Sequence, residues 1–190
     1  NGQGFPRNYS KAAEYYQKAA ELGNSAGYNN LGVLYESGFG FPRNYSKAIE
    51  YYQKAIELGN PYSYNSLGLL YEKGLGVGQD YLKAGEYFSK AGELGYSEGY
   101  CNLGWLYKNG KGFRQDYSKA FEFYQKAAEL DNTSAYNNLG LLYRNGQGVR
   151  QDYSKAAECY QKAIDLGDSN ARRYLIELQN LMRNHTLVFA

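Results

Sequence analysis

The chain is predicted to be all-α, a solenoid of stacked antiparallel helix pairs, and three observations predict it. Tyr9, Tyr45, Tyr81, Tyr117 and Tyr153 stand 36 residues apart. The Gly-x-Gly pairs Gly38/Gly40, Gly74/Gly76, Gly110/Gly112 and Gly146/Gly148 keep the same step, and no insertion breaks the register between them. A fixed period of this length means that one supersecondary unit is copied. Such a unit cannot bury its apolar face alone, so the copies must stack.

Each unit reads as two helices. In residues 24–37, Leu31, Leu34 and Tyr35 fall on one face at helical spacing, and Gly38 follows where a helix ends in the left-handed conformation. This is helix A. Phe41 then anchors the loop. Asn44 stands as N-cap to a second helix carrying Tyr45, Ala48, Ile49, Tyr52, Ala55, Ile56 and Leu58, and Gly59 closes it. This is helix B. Asp80, Asp116 and Asp152 replace Asn8 and Asn44 at the same cap, the exchange expected where a side chain serves by accepting backbone N–H bonds. Acid-first pairs such as Glu50 with Lys54 and Glu122 with Lys126 mark the solvated face of helix B, each contributing a few tenths of a kcal/mol. Gly32, Gly68, Gly104 and Gly140 lie inside helix A, where each costs about 1 kcal/mol against alanine unless something needs the room. Ala48, Ala84, Ala120 and Ala156 suggest that the need is close contact between helices.

The expected organisation is one repeat domain over residues 1–183. It comprises a truncated half repeat at 1–23, full repeats at 24–59, 60–95, 96–131 and 132–167, and a cap helix at 168–183, followed by a loose tail at 184–190. The chain opens in mid-repeat, because NGQG at its start matches NGQG at 145–148, so it reads as a piece of a longer parent. After Asn170 the pattern decays: Ile176 stands where Gly belongs, Gln179 where Tyr belongs, and Arg172, Arg173, Glu177, Asn180 and Arg183 make the last helix more polar. A terminal repeat that must face water has this composition.

The balance of charge and cysteine narrows function. With 21 basic against 19 acidic residues the net charge is +2, too little to neutralise a row of phosphates, so nucleic acid is not the expected partner. Cys101 and Cys159 occupy different repeat positions, so no bridge recurs from unit to unit. No run of 18 apolar residues is present, and no membrane insertion is expected.

The pattern L-G-x-x-Y-x-x-G-x-G-[VF]-x-x-[DN]-Y-x-K-A-x-x-[YF]-x-x-K-A-x-x-L-G covers the chain almost end to end, and in it the chain resembles the Sel-one-like repeat, a relative of the tetratricopeptide repeat. Asp131 departs from the motif by replacing the helix-ending Gly, and Gly85 and Gly92 depart by entering one helix B. The resemblance implies a right-handed solenoid whose A helices line a concave groove. Counted from the L-G-x-x-Y landmark, the implied groove rows are Ala26, Asn29, Val33, Glu36; Tyr62, Asn65, Leu69, Glu72; Glu98, Cys101, Trp105, Lys108; and Ser134, Asn137, Leu141, Arg144. Asn30, Asn102 and Asn138 flank them, and Arg173 extends the basic end. Glu36 and Glu72 share their repeat position with Lys108 and Arg144, so the rows change sign along the chain. The asparagines suit either of two tasks: gripping the backbone of an extended peptide, as related solenoids do, or tying neighbouring helices together.

Chemistry finds little footing. The single histidine, His185, falls in the tail, and no set of metal ligands accompanies it. Gly-x-Gly recurs in every loop, but no strand precedes it and no Lys-Ser/Thr follows, so it reads as a helix terminator and not as a phosphate cradle. No cofactor is implied. The sequons at Asn8, Asn44, Asn132 and Asn184 matter only in a secretory lumen, and Asn8 and Asn44 are already explained as caps. The tyrosines at Tyr28, Tyr64, Tyr100 and Tyr136, and at Tyr35, Tyr71, Tyr107 and Tyr143, recur in every unit and are expected to pack. The expected function is therefore a non-enzymatic adaptor or scaffold binding a protein or extended peptide. One alternative is an enzyme of the cysteine-rich repeat type, assigned β-lactam hydrolysis, whose regular cysteine pairs are missing here. The other is an RNA-reading helical repeat of similar period. No motif specifies compartment or oligomeric state.

Overall fold

The computed structural model describes residues 8–188, with side chains for residues 8–183. The seven residues that open the expected half repeat, and the side chains of His185 and Asn184, lie outside the described residues. Ten α-helices are present among the described residues: α1 (Tyr9–Glu21), α2 (Ser25–Ser37), α3 (Tyr45–Glu57), α4 (Pro61–Lys73), α5 (Tyr81–Glu93), α6 (Ser97–Asn109), α7 (Tyr117–Ala128), α8 (Thr133–Asn145), α9 (Tyr153–Asp165) and α10 (Ala171–Val188). The A helices are α2, α4, α6 and α8, and the B helices are α1, α3, α5, α7 and α9. The last helix runs on to Val188, through five positions where a loose tail was expected after Arg183. The chain divides into two compact units, 1–94 and 95–190.

Helix boundaries follow from side chains that satisfy the backbone groups a helix end leaves unpaired. Asn8, Asn44, Asp80, Asp116 and Asp152 each accept, through Oδ1, the N–H of the residue three further on, at 2.9–3.0 Å. Gly38, Gly74, Gly110 and Gly146 close the A helices with φ between 64 and 75°, the left-handed region. A glutamine in the A-to-B loop adds a device the motif reading overlooked. Gln79, Gln115 and Gln151 donate through Nε2 to the carbonyls of Glu72, Lys108 and Arg144 at 2.8–2.9 Å, capping helix A from outside. Asp131 is the one non-glycine with positive φ among the described residues, at 55°. An L-residue there costs about 1–2 kcal/mol, partly offset because glycine loses more entropy on folding. Asp131→Gly is therefore expected to stabilise the chain by up to about 1 kcal/mol in urea denaturation, and a lower midpoint would show that the aspartate side chain compensates its backbone.

The core explains the glycines inside helix A. Tyr52, Phe88 and Tyr124 are 0% exposed and Tyr160 is 1% exposed. Each of these rings comes from helix B and lies flat against one helix A glycine. A Cβ built on Gly32, Gly68, Gly104 or Gly140 would lie 2.5–2.8 Å from the ring of Tyr52, Phe88, Tyr124 or Tyr160 respectively. The room expected to serve close contact between helices is taken up by an aromatic ring of helix B. In the first unit Ala48, Tyr52, Leu67 and Leu70 form one buried cluster, and Ala13, Ala20, Leu31 and Leu34 another. In the second unit Ala120, Tyr124, Ala127, Ala135, Leu139 and Leu142 cluster with Cys101, and Ala156, Tyr160 and Leu178 close the array against α10. Burying one such large apolar side chain contributes about 1.5–3 kcal/mol.

The repeated tyrosines of helix A do pack, but at half burial and in stacks. Tyr35 lies between Phe41 and Tyr51, at centroid distances of 4.6 and 5.5 Å. Tyr107 repeats the arrangement with Phe113 and Phe123 at 4.5 and 5.5 Å. The ammonium groups of Lys47 and Lys119 cover Tyr35 and Tyr107, each 5.1 Å from the ring centroid.

Candidate partner-binding groove

Helix A presents four positions per repeat to the expected groove, and the fold treats them differently. In the first unit Val33 and Tyr62 are exposed, at 39% and 54%, while Asn29, Asn30, Glu36, Leu69 and Glu72 are half-buried. Asn65 is only 6% exposed. In the second unit Trp105 is 39% exposed, Arg173 is exposed, and Glu98, Asn102, Lys108, Asn137, Asn138, Leu141 and Arg144 are half-buried. Cys101 is buried at 9%, inside the cluster of Ala120, Tyr124 and Leu139. Asn65 and Cys101 thus offer the least surface of these rows to a partner. At the same register position Asn29 stays half-buried and accepts the hydroxyl of Ser63 at 2.9 Å.

That bond exemplifies what three of the groove asparagines, Asn29, Asn137 and Asn138, and the capping Asn60 and Asn132 do. Asn60 Nδ2 donates to Ser25 Oγ at 3.2 Å, and Asn132 Nδ2 donates to Ser97 Oγ at 3.2 Å and to the Glu98 carboxylate. Asn137 Nδ2 donates to Asp168 Oδ2 at 2.5 Å, and Asn138 Oδ1 accepts from Lys108 Nζ at 3.2 Å. Each tie joins one repeat to the next within its unit. Serines at the start of helix A are the partners that the motif leaves out: Ser25 and Ser97 share one repeat position, 72 residues apart, and Ser63 stands at another.

The charged end of each row is coupled to the buried aromatic beneath it. Tyr52 donates its hydroxyl to Glu36 Oε2 at 2.6 Å, and burial together with that carboxylate holds the phenol far above its ordinary range. Phe88 offers no hydroxyl to Glu72, whose carboxyl is raised by burial. Tyr124 occupies the same repeat position in the second unit, yet its buried hydroxyl has no hydrogen-bond partner. Burial lowers the Lys108 ammonium. Tyr160 lies near Arg144, and burial pushes its phenol up to about 12 against the opposing pull of that guanidinium. Arg144 is further neutralised by Glu177 at 3.6 Å, which also meets Arg173 at 3.6 Å.

These pairings set two opposite expectations for one kind of change. Tyr52→Phe leaves the half-buried Glu36 carboxylate without its donor and is expected to cost about 1–3 kcal/mol. Tyr124→Phe removes a hydroxyl that has no partner, so its stability should be unchanged or slightly higher. Thermal melts of both variants check the contrast, and equal losses would mean that Tyr124 is bonded in solution.

Two concavities border these residues. A cavity of about 280 Å³ in the second unit is lined by Ser134, Asn137, Asn138, Leu141, Tyr160 and Tyr174. Asn137 Oδ1, buried and without a partner, lies beside it. The other, of about 550 Å³, opens in the first unit over Ala13, Gln17, Leu31, Tyr35, Phe41 and Tyr51. Both cysteines are free, and burial pushes the Cys101 thiol up to about 12 and the Cys159 thiol up to about 11, away from nucleophilic character at neutral pH. No described helix is long and apolar enough to cross a membrane.

Comparison with known proteins fits this architecture. The Sel1 repeat family model matches residues 1–24, 25–60, 61–96, 97–132 and 133–168, each repeat limit falling one residue later than the pattern placed it. A Sel1 repeat protein from Oxalobacter formigenes is 32% identical, with a TM-score of 0.82 over 90% of this chain and 69% of that one. The protein c5321, a protective antigen present in uropathogenic Escherichia coli strains and displaying an SLR fold, is 33% identical, with a TM-score of 0.82 over 93% of this chain and 38% of that one. Helicobacter pylori cysteine rich protein B is 34% identical, with a TM-score of 0.56 over 70% of this chain and 96% of its own. No curated protein matches. Sel1 repeat proteins are typically protein-interaction modules.

Proposed function

The chain belongs to the Sel1 repeat family, and from that premise we propose that it is an adaptor or scaffold module, without catalysis of its own, that takes a peptide or protein partner on the A-helix face. The observation that carries the reading is Trp105. It is the one tryptophan of the chain, it stands 39% exposed, and the sister repeats hold Val33, Leu69 and Leu141 at its position, so the fold does not require an indole there. Large aromatics at an exposed, repeat-variable position are typical anchors of an interface. With Asn65 and Cys101 removed, the binding residues are Asn29, Asn30, Val33, Glu36, Tyr62, Leu69 and Glu72 in the first unit. In the second they are Glu98, Asn102, Trp105, Lys108, Asn137, Asn138, Leu141, Arg144 and Arg173. Differential capture from the native host tests the proposal, comparing the wild type, Trp105→Leu, and a control altered on exposed helix B, Gln53→Ala. A partner lost only with Trp105→Leu supports the A-helix face, whereas one lost only with the helix B variant places recognition on the other side.

A further inference from the structure

Resting on that groove reading, we infer that the second unit recognises an acidic side chain of its partner, a carboxylate received by Lys108 at the mouth of the Asn137/Asn138 cavity. Lys108 is half-buried on α6, one turn beyond Trp105, and its ammonium donates, among the described residues, to a neutral acceptor, Asn138 Oδ1 at 3.2 Å. No carboxylate among the described residues pairs with it. The contrast within the same unit is sharp: Arg144, at the matching position one repeat later, is neutralised by Glu177 at 3.6 Å. Glu98, on the same helix as Lys108, is committed to Asn132 and Ser97. A half-buried ammonium without a counterion is costly, and its pairing with an incoming carboxylate recovers part of that cost.

The comparison between repeats points the same way. Glu36, at the Lys108 position of its own repeat, accepts the Tyr52 hydroxyl, and Arg144 meets Glu177, whereas Lys108 has no charged partner among the described residues. The second unit thus holds a half-buried cation for which it supplies no anionic acceptor. The carboxylate is assigned to a side chain and not to a chain end because the groove continues past Lys108. Asn138, which Lys108 contacts, also lines the 280 Å³ cavity with Ser134, Asn137 and Leu141, leaving room for the partner chain to run on. Trp105 lies exposed one turn before the ammonium, so an apolar residue is expected next to the acidic one.

The test is affinity selection on the full 190-residue chain from a synthetic library of short peptides acetylated and amidated at their ends, run in parallel on Lys108→Gln and Trp105→Leu. The wild type is expected to enrich Asp or Glu at one position at least fivefold over the input. Lys108→Gln should lose that preference while keeping the neighbouring apolar one. For the best peptide, replacing its acidic residue by the amide should weaken binding tenfold to the wild type and not at all to Lys108→Gln. Enrichment without an acidic preference, or an acidic preference that survives in Lys108→Gln, overturns the inference and leaves the groove reading standing. A free-carboxyl library that outcompetes the blocked one whatever its composition makes the ligand a chain end, and overturns it too. Recovery by Trp105→Leu of the same peptides with the same yield overturns the groove reading itself, and this inference with it.

Discussion

Gly140→Ala is expected to destabilise the second unit by up to about 2 kcal/mol, although the same change on an exposed helix stabilises. Helix propensity favours alanine by about 1 kcal/mol. Against it, the new Cβ would lie 2.5 Å from Cε1 and 2.8 Å from Cδ1 and Cζ of Tyr160. Tyr160 is 1% exposed and closed in by Ala156, Leu178 and Tyr174, so the ring has nowhere to go without displacing them. Overpacking of a closed core costs about 1–3 kcal/mol and sometimes more, which outweighs the propensity gain. Chemical denaturation measures the net effect, and hydrogen exchange over α8 and α9 localises it, because a repeat array need not unfold in one step. The Tyr160→Leu background supplies the control: with the ring gone the alanine has room, and its cost should fall by at least about 1 kcal/mol. An equal cost in both backgrounds, or a net stabilisation in the wild type, would show that the ring does not set the size limit at this position.

That expectation marks where pattern reading stopped. Helix boundaries were legible because they depend on one side chain at one place: Asn44 or Asp80 either accepts an N–H or it does not, and Gly38 either adopts positive φ or it does not. The reason for the glycine inside helix A was not legible. Periodicity says that Gly140 recurs, but what occupies its missing Cβ depends on a ring 20 positions later in the chain, on a different helix. The groove was legible in the same partial way. A 36-residue step identifies which residues share a register, and a relative of known shape supplies the face, but the tilt that buries Asn65 and Cys101 is set by the packing of one helix pair on the next. The asparagines carried both of their possible roles in the sequence, and only the positions of Ser63, Asp168 and Lys108 show that Asn29, Asn137 and Asn138 tie repeats together. Glu177 could not be paired with Arg144 from spacing, because the two stand on helices that only the fold brings within 3.6 Å.

Trp105→Leu should separate binding from stability more cleanly than any other single change. On the side of stability, Leu69 and Leu141 occupy the same repeat position and fold, the indole is 39% exposed, and its backbone carbonyl, which accepts from Asn109 Nδ2 at 2.8 Å, survives the substitution. A surface change that leaves those features intact is expected to alter stability by no more than about 1 kcal/mol. On the side of binding, truncating an aromatic anchor near the centre of an interface commonly costs about 2 kcal/mol or more, a factor of ten or greater in affinity. The two quantities can be read on one pair of samples, by thermal melt and by titration with a partner obtained by differential capture. Fluorescence tests the premise before any partner is in hand. With its ring partly in water, Trp105 should emit at the red end of the indole range and be quenched readily by acrylamide. A partner that binds over it should shift the emission to the blue and protect it from quencher. A free chain whose emission is already blue and insensitive to acrylamide would place the ring between helices, make its loss a packing defect, and remove the anchor on which the proposed function rests.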